Sequence, residues 1–141
     1  GSITALYAVL VEGDDFNEPI SDILRATLDG HIVLSRSLAN EGPYPAIDVL
    51  QSVSRLFLDL TPLAEREAAA CALESLALYE RNRQMIDIGA YTPGTNPPLD
   101  RVMEIVPALM KFLRQDMNES ISRTEALKRL GAAVKRPAGT A

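Results

Sequence analysis

Two short apolar runs near the start of the sequence, residues 3–12 and 31–35, restrict the folds that the chain can adopt. Both are rich in β-branched residues and lack the apolar–polar alternation of a half-exposed strand, so each is typical of a strand covered on both faces. Between them, residues 20–28 have apolar side chains at helical spacing. This strand–helix–strand order predicts a parallel sheet. Because two strands do not make a stable sheet alone, we expect the trailing part of a larger α/β domain.

Beyond residue 60 the sequence contains only helical patterns. Thr61-Pro62 combines a capping residue with a proline at the first helical position, and Gly89 is a stop signal. A second helix is predicted from Leu99, with Leu99, Val102, Met103, Val106, Met110 and Leu113 facing inward, and Pro107 must kink it or start a new one. The string "SRTE" at 122–125 is a capping box that opens a last helix. The predicted fold class is therefore α/β followed by all-α.

Composition and charge exclude several functional classes. With 14 Lys+Arg against 19 Asp+Glu, the chain has a formal charge of −5, which gives no general attraction to nucleic acid or anionic membranes. No stretch approaches the roughly 20 apolar residues that span a bilayer, and the opening lacks a signal-peptide pattern, so we expect a cytosolic protein. The lone Cys71 has no disulfide partner, and we interpret it as a small buried side chain.

Sequence motifs for most kinds of chemistry are absent. The chain contains no GxxxxGK[ST], GxGxxG or HExxH string and no Cys/His set for zinc, and we predict no metal site. The acidic pair Asp14-Asp15 follows a predicted strand and is interpreted as a solvated turn or a helix cap. We expect His31 to be structural and Arg36 to brace the end of the sheet.

One stretch, "EGPYPAIDVLQSVSRLF" at residues 41–57, carries the candidate site. Gly42, Pro43 and Pro45 predict a stiff turn that presents Tyr44, and Arg55 lies among small and apolar neighbours at the expected end of a short apolar helix. The residues alone allow two interpretations. They are either a core tyrosine and a surface arginine, or two parts of a nucleotide site.

The order of motifs resembles one known family. The strings "VEGDD", "NEPI", "LDGHIVLSR", "YPAIDVL" and "SVSR", and later "IGAYTPGTNPPLDR" and "FLRQ", resemble the later part of the RecA-like motor domain of bacterial type III protein-export ATPases, which serve flagella and injectisomes. The resemblance covers about residues 1–117. It implies that residues 1–60 are the C-terminal portion of the RecA-like domain and residues 61–136 a C-terminal helical domain. Residues 137–141 are expected to be a disordered tail, as chain ends of this kind fray.

The resemblance also implies roles for three residues. Tyr44 would stack on the adenine of the subunit's own nucleotide, and Arg55 would be an arginine finger that reaches into the site of the neighbouring subunit. Met117 lies at a position where the related rotary ATP synthases carry an aromatic residue that completes the adenine pocket, so this sequence departs from that pattern. Its thioether would either contact the adenine or only pack within the fold.

The activity implied by the resemblance is ATP hydrolysis coupled to unfolding and export of proteins by a hexameric ring. ATP and Mg²⁺ are cofactors of the intact protein, and members carry the phosphate-binding loop and magnesium ligand upstream of where this chain begins, so the piece alone is expected to bind neither and to be inactive. The implied partners are export chaperones with their cargo, a central coiled-coil stalk protein and the export gate, at the cytoplasmic face of the inner membrane. The alternatives are a non-catalytic helical module that binds chaperones or the stalk, or a catalytic-type subunit of a rotary ATP synthase.

Overall fold

The computed structural model describes residues 1–11, 13 and 18–135 of the chain. The interpretations of Asp14-Asp15 and of a tail at 137–141 lie outside these residues. The described elements are, in order, α1 (Pro19–Thr27), β1 (Gly30–Leu34), α2 (Arg36–Glu41), β2 (Ile47–Ser54), α3 (Phe57–Leu60), α4 (Leu63–Asp87), α5 (Pro97–Leu113) and α6 (Arg123–Ala133). A mixed α/β part is thus followed by helices only, as the sequence predicts.

The first predicted strand is wrong over its described part. Residues 1–11 contain no regular secondary structure, and the side chains of Ile3, Leu6 and Leu10 are almost fully exposed. A strand persists only where its backbone N–H and C=O groups meet a neighbouring strand. In the described residues the sheet has two strands, β1 and β2, which pair with each other.

The second predicted strand is confirmed as β1, but its pairing differs from the prediction. β1 pairs with β2 in the antiparallel sense, with Gly30 opposite Ser54 and Leu34 opposite Ile47, and the register shifts between His31 and Val33. The parallel sheet was expected from a partner strand at 3–12, which is not formed over its described residues. β1 instead pairs with the next strand in sequence, which returns after the turn at residues 42–45.

The first helix of the mixed part begins and ends near the predicted residues 20–28. α1 starts at Pro19, a residue suited to the first helical turn, and ends before Asp29-Gly30. Ser35 caps α2 by accepting a hydrogen bond from the Leu38 N–H, and Gly42 ends this helix in the left-handed conformation with φ of 92°.

The core of the helical part lies where α4, α5 and α6 meet. Its buried members come from all three helices and are Ala72, Leu76, Ile105, Leu109 and Ala133. The predicted inward face of α5 is partly wrong. Leu99, Val102 and Val106 are buried, but Met110 is 39% exposed while Leu109, which was not predicted, is 1% exposed.

The helix boundaries of this part confirm most of the sequence signals. α4 begins one residue later than predicted, with Pro62 in place of Thr61 at the N-cap position and no side-chain cap, and it ends before Gly89, which has a positive φ of 69°. α5 continues through Pro107 without a restart. α6 begins as predicted, with the Ser122 side chain accepting a hydrogen bond from the Glu125 N–H. None of the helices within residues 18–135 has both the length and the apolar character of a membrane span.

Candidate functional site

The turn at residues 42–45 presents the ring of Tyr44 to the outside. Gly42 reverses the chain after α2, the Tyr44–Pro45 peptide bond is cis, and the Ile47 N–H donates a 2.9 Å hydrogen bond to the carbonyl oxygen of Pro45. Tyr44 is 60% exposed. The interpretation of Tyr44 as a core residue is therefore wrong, because its ring is held on a constrained turn at the surface.

Arg55 follows a strand and not the apolar helix end that was predicted. Residues 47–54 form β2, in which the β-branched Ile47, Val49 and Val53 favour an extended backbone. The Arg55 N–H donates to the carbonyl oxygen of Asp29 at 2.8 Å, and its guanidinium Nη2 donates to that of Arg25 at 3.1 Å. Arg55 is exposed. Its guanidinium is thus oriented by the last turn of α1 while it remains open to solvent.

The structure does not bring Tyr44 and Arg55 together. They flank opposite ends of β2, whose eight residues pair end to end with the five residues of β1 across a register shift, so the two ends of β2 lie roughly 13 Å apart at the usual rise per residue. Tyr44 is held by the segment that follows α5, whereas Arg55 is held by the end of α1. The two side chains are therefore fixed by different parts of the fold.

Met117 belongs to a segment that reaches the Tyr44 turn. After α5, the Gln115 N–H donates a 3.0 Å hydrogen bond to the Tyr44 carbonyl oxygen, and the Gln115 side chain donates to the carbonyl oxygen of Glu119 at 2.8 Å. Met117 lies two residues beyond Gln115 and is 97% exposed. A role in core packing is therefore wrong for Met117. Its thioether lies in the exposed segment that contacts the turn.

A second tie to the turn was not predicted from the sequence. Arg83 of α4 donates from Nη2 to the Oε2 atom of Glu41, the last residue of α2, at 3.2 Å. Its guanidinium also lies 3.7 Å from Glu80 and 3.6 Å from Asp87. The hydrogen bond and charge of Glu41, followed by the charge of Glu80, raise the pKa of Arg83 above its ordinary value. The one sequence feature that could have indicated this contact is that Arg83, a basic residue, interrupts the repeat of apolar residues in α4.

The remaining singled-out residues have structural surroundings. The His31 Nε2 atom is 3.1 Å from the carbonyl oxygen of Gln51 across the sheet, and Arg36 begins α2 directly after β1. Cys71 of α4 is only half-buried, whereas the sequence predicted a buried side chain. It lines a shallow groove of about 480 Å³ with residues of α4 and α5 that include Ser75 and Arg101.

The residues present fit only part of an ATP site. An exposed ring suits the face of a base, and an exposed guanidinium suits phosphate charge. The described residues contain no group of three His, Cys, Asp or Glu side chains that could hold a metal ion, and the sequence contains no phosphate-binding loop. The chain can therefore contribute to base and phosphate contacts, whereas a triphosphate cradle and a metal site would need other residues.

Two family models match successive parts of the chain. Residues 1–54 match the nucleotide-binding domain of the ATP synthase alpha/beta family. Residues 61–132 match the T3SS EscN ATPase C-terminal domain.

The curated relatives come from flagellar and type III secretion systems. The flagellum-specific ATP synthase of Bacillus subtilis is 43% identical over 130 residues, which are 92% of this chain and 30% of that protein. The SPI-2 type 3 secretion system ATPase of Salmonella typhimurium is 50% identical over 119 residues, which are 84% of this chain and 28% of that protein. The chain thus spans less than a third of the length of either relative.

Solved structures of one ATPase have the same fold. The assembled ATPase EscN of the type III secretion system of enteropathogenic E. coli matches with a TM-score of 0.91 and 38% identity, over 96% of this chain and 33% of that chain. EscN in complex with its central stalk EscO matches with a TM-score of 0.77 and 34% identity, over 83% of this chain and 29% of that chain. These matches confirm the α/β-then-helical fold and the family resemblance. Since the second family model covers more than half of the chain, the chain belongs to the family of the T3SS EscN ATPase C-terminal domain.

Proposed function

We propose that the chain is the C-terminal part of an ATPase that energises flagellar or injectisome type III protein export. In the intact protein, ATP hydrolysis in a hexameric ring would be coupled to unfolding and secretion of proteins. The observation that carries this proposal is the placement of Arg55. Its exposed guanidinium is oriented by the Arg25 carbonyl oxygen at the far end of β2 from Tyr44.

Arg55 acts as an arginine finger in the site of the adjacent subunit. Arginine keeps its charge and presents five N–H donors in a planar fork. A guanidinium placed against the γ-phosphate stabilises the negative charge that develops there during phosphoryl transfer, an effect of about 10³–10⁵-fold on rate. Because the bond to α1 orients the side chain in advance, less rotamer entropy is lost when the subunits assemble.

Tyr44 binds the adenine of the subunit's own nucleotide. The ring is exposed on a turn held by Gly42 and by the contact with Gln115, so one face is available for stacking. Base–aromatic stacking contributes about 1–3 kcal/mol and depends little on base identity. The exposed Met117 supplies a second, flexible contact from the segment that meets this turn.

The two parts of the chain have different roles in the intact protein. Residues 1–60 form the C-terminal portion of a RecA-like domain, and the intact protein binds ATP and Mg²⁺ with upstream residues. Residues 61–136 form a helical domain that docks a central stalk protein, export chaperones with cargo and the export gate, at the cytoplasmic face of the inner membrane. The complex of EscN with its central stalk EscO supports the stalk as a partner.

The test is a comparison of kcat and KM for ATP in the intact ATPase. Arg55→Ala should lower kcat by about 10³-fold or more with KM nearly kept, whereas Tyr44→Ala should raise KM by about tenfold with kcat nearly kept. Arg81→Ala is the matched control, because Arg81 is an exposed α4 residue whose Nε donates within its own helix to Ala77. Small and similar effects of the Arg55 and Tyr44 changes would overturn both roles.

A second candidate is a non-catalytic module that binds the stalk or chaperones. The observation in its favour is the absence of a phosphate-binding loop from these 141 residues. It predicts that the chain alone binds a stalk protein and leaves ATP unbound. A catalytic-type subunit of a rotary ATP synthase is a further alternative, supported by the family model that matches residues 1–54.

A further inference from the structure

The turn that carries Tyr44 is held from both sides by the helical part of the chain. On the N-terminal side, Glu41 accepts a hydrogen bond from Arg83 of α4 at 3.2 Å. At Tyr44 itself, the carbonyl oxygen accepts the hydrogen bond of the Gln115 N–H at 3.0 Å. The sheet provides a third contact, the 2.9 Å bond from the Ser35 N–H to the Ala46 carbonyl oxygen. Two of the three contacts therefore depend on where the helices lie.

Arg83 is suited to transmit the position of α4 to this turn. Its guanidinium also lies against Glu80 and Asp87 of its own helix, which are one turn before and after it. These carboxylates restrict its rotamers, so the side chain extends from α4 with a defined direction. Glu41 is followed directly by Gly42, the residue that reverses the chain into the turn. Only Gly42 and Pro43 lie between Glu41 and Tyr44, so a displacement of Glu41 moves the turn that carries the Tyr44 ring.

We propose that Arg83 and Glu41 form a positioning pair that couples helix α4 to the adenine-side turn, and so tunes nucleotide affinity through Tyr44. This inference rests on the proposed function of Tyr44. The pair touches no nucleotide. It fixes the start of the turn, and the Gln115 contact fixes its tip, so the ring is held where a base can stack on it.

The expected size of the effect follows from the exposure of the pair. The Arg83 and Glu41 side chains are 38% and 48% exposed, so water screens their attraction. Exposed ion pairs have modest coupling, equivalent to about a two- to fivefold change in an equilibrium constant. Loss of the pair should therefore raise KM for ATP by about two- to fivefold and leave kcat within about twofold.

The experiment measures KM and kcat of the intact ATPase with Arg83→Gln, Glu41→Gln and the double change. If the pair acts as a unit, the double variant should have the same KM as either single variant, and Arg83→Lys should retain part of the affinity. Arg81→Gln is the matched control. Arg81 is an exposed arginine of the same helix whose Nε donates to the Ala77 carbonyl oxygen, so its loss leaves the contact between Arg83 and Glu41 in place and KM should stay unchanged.

The dependence on Tyr44 is tested by repeating Arg83→Gln in a Tyr44→Ala background. If Arg83 acts through the ring, it should have no further effect on KM there. An equal rise in KM in both backgrounds would overturn the inference, as would an unchanged KM in Arg83→Gln when Tyr44→Ala raises it. If Tyr44→Ala itself leaves KM unchanged, the proposed role of Tyr44 fails, and the positioning role fails with it.

Discussion

At the scale of single residues, Gly30 shows how closely the two strands approach. It lies opposite Ser54 in the register, and a Cβ atom at this position would lie 2.7 Å from the carbonyl oxygen of Val53. That oxygen belongs to the backbone of β2 and cannot rotate away. Any side chain at position 30 therefore forces the strands apart just before Arg55.

We expect Gly30→Ala to lower the free energy of unfolding by about 1–3 kcal/mol, because the methyl group overpacks the strand pair. Gly131→Ala is the control. Gly131 lies in α6, and a Cβ atom there would meet no neighbouring group within 4 Å, so the change should raise stability by about 0.5–1 kcal/mol. Urea unfolding of both variants measures whether the free energy of unfolding falls for Gly30→Ala and rises for Gly131→Ala. Equal free energies of unfolding for the two variants would contradict the close approach of position 30 to the Val53 carbonyl oxygen.

Tyr91 organises the loop before α5. Its hydroxyl donates to the Oδ1 atom of Asp100 at 2.7 Å and lies 3.2 Å from the carbonyl oxygen of Asn96, while Asp100 Oδ2 accepts a hydrogen bond from the Gly94 N–H at 2.9 Å. Desolvation, followed by the bond to Asp100 and its charge, raises the pKa of Tyr91 above the ordinary value of 10.0. The protonated hydroxyl is therefore the form that the fold favours.

The raised pKa of Tyr91 predicts an alkaline loss of stability. The folded state holds this proton more tightly than the unfolded state, so the contribution is complete below pH 10 and falls as pH rises through the pKa of the folded state. We expect stability to decline with pH in this range, and to decline less in Tyr91→Phe. Unfolding curves across alkaline pH test this, with tyrosinate absorbance reporting the ionisation. An identical pH dependence in the variant would contradict the assignment.

The sequence singled out candidate residues of the site but not the contacts that surround them. Tyr44 and Arg55 became candidates because turn residues and a family motif are local patterns. The tie between Arg83 and Glu41 joins positions 42 residues apart. No local spacing predicts such a contact, because it depends on how α4 packs beside α2. The same holds for the bond between Gln115 and Tyr44.

At the scale of elements, helix signals were more reliable than strand signals. The cap at Ser122 works within one turn of chain, so it was predicted correctly. Whether a strand forms depends on a distant partner. Residues 3–11 have strand-like composition yet remain without a neighbour in the described sheet, whereas residues 47–54 became β2 by pairing with β1.

The core of the helical part supplies a direct test of the α5 face. We expect Leu109→Ala to lower the free energy of unfolding by about 2–5 kcal/mol, because Leu109 is 1% exposed and packs among α4 and α6 residues. The adjacent Met110→Ala should cost less than about 1 kcal/mol, since Met110 is exposed. Thermal or urea unfolding of both variants gives the comparison. A larger loss of unfolding free energy for Met110→Ala than for Leu109→Ala would instead support the inward face of α5 that was predicted from the sequence.

At the scale of the whole molecule, the mixed part and the helical part differ in how much apolar surface they cover. The helices bury a shared core, but the first residues and the sheet expose large apolar side chains, among them Ile3, Leu6, Leu10, Ile32 and Leu34. Exposed apolar patches of this kind mark surfaces that normally pack against other protein. The relatives, of which this chain spans less than a third, are long enough to supply such cover.

We expect the 141-residue chain alone to show no ATP turnover. Its sequence contains no GxxxxGK[ST] loop to hold a triphosphate, so Arg55 and Tyr44 have no bound phosphate chain to act on. Phosphate release measured with the purified chain and its Arg55→Ala variant checks this. Turnover that survives Arg55→Ala would contradict the division of the site between this chain and the rest of the ATPase.

The length of β2 has a consequence for how neighbouring subunits would communicate. Its eight residues lie between the Tyr44 turn and Arg55, so on the proposed assignment one strand sets the spacing between a subunit's own base and the triphosphate next door. Both ends of the strand pair with β1, while the residues between Asp48 and Val53 lie at the register shift. A displacement of the turn at one nucleotide would therefore reach Arg55 at the other through β1, to which both ends of β2 are paired.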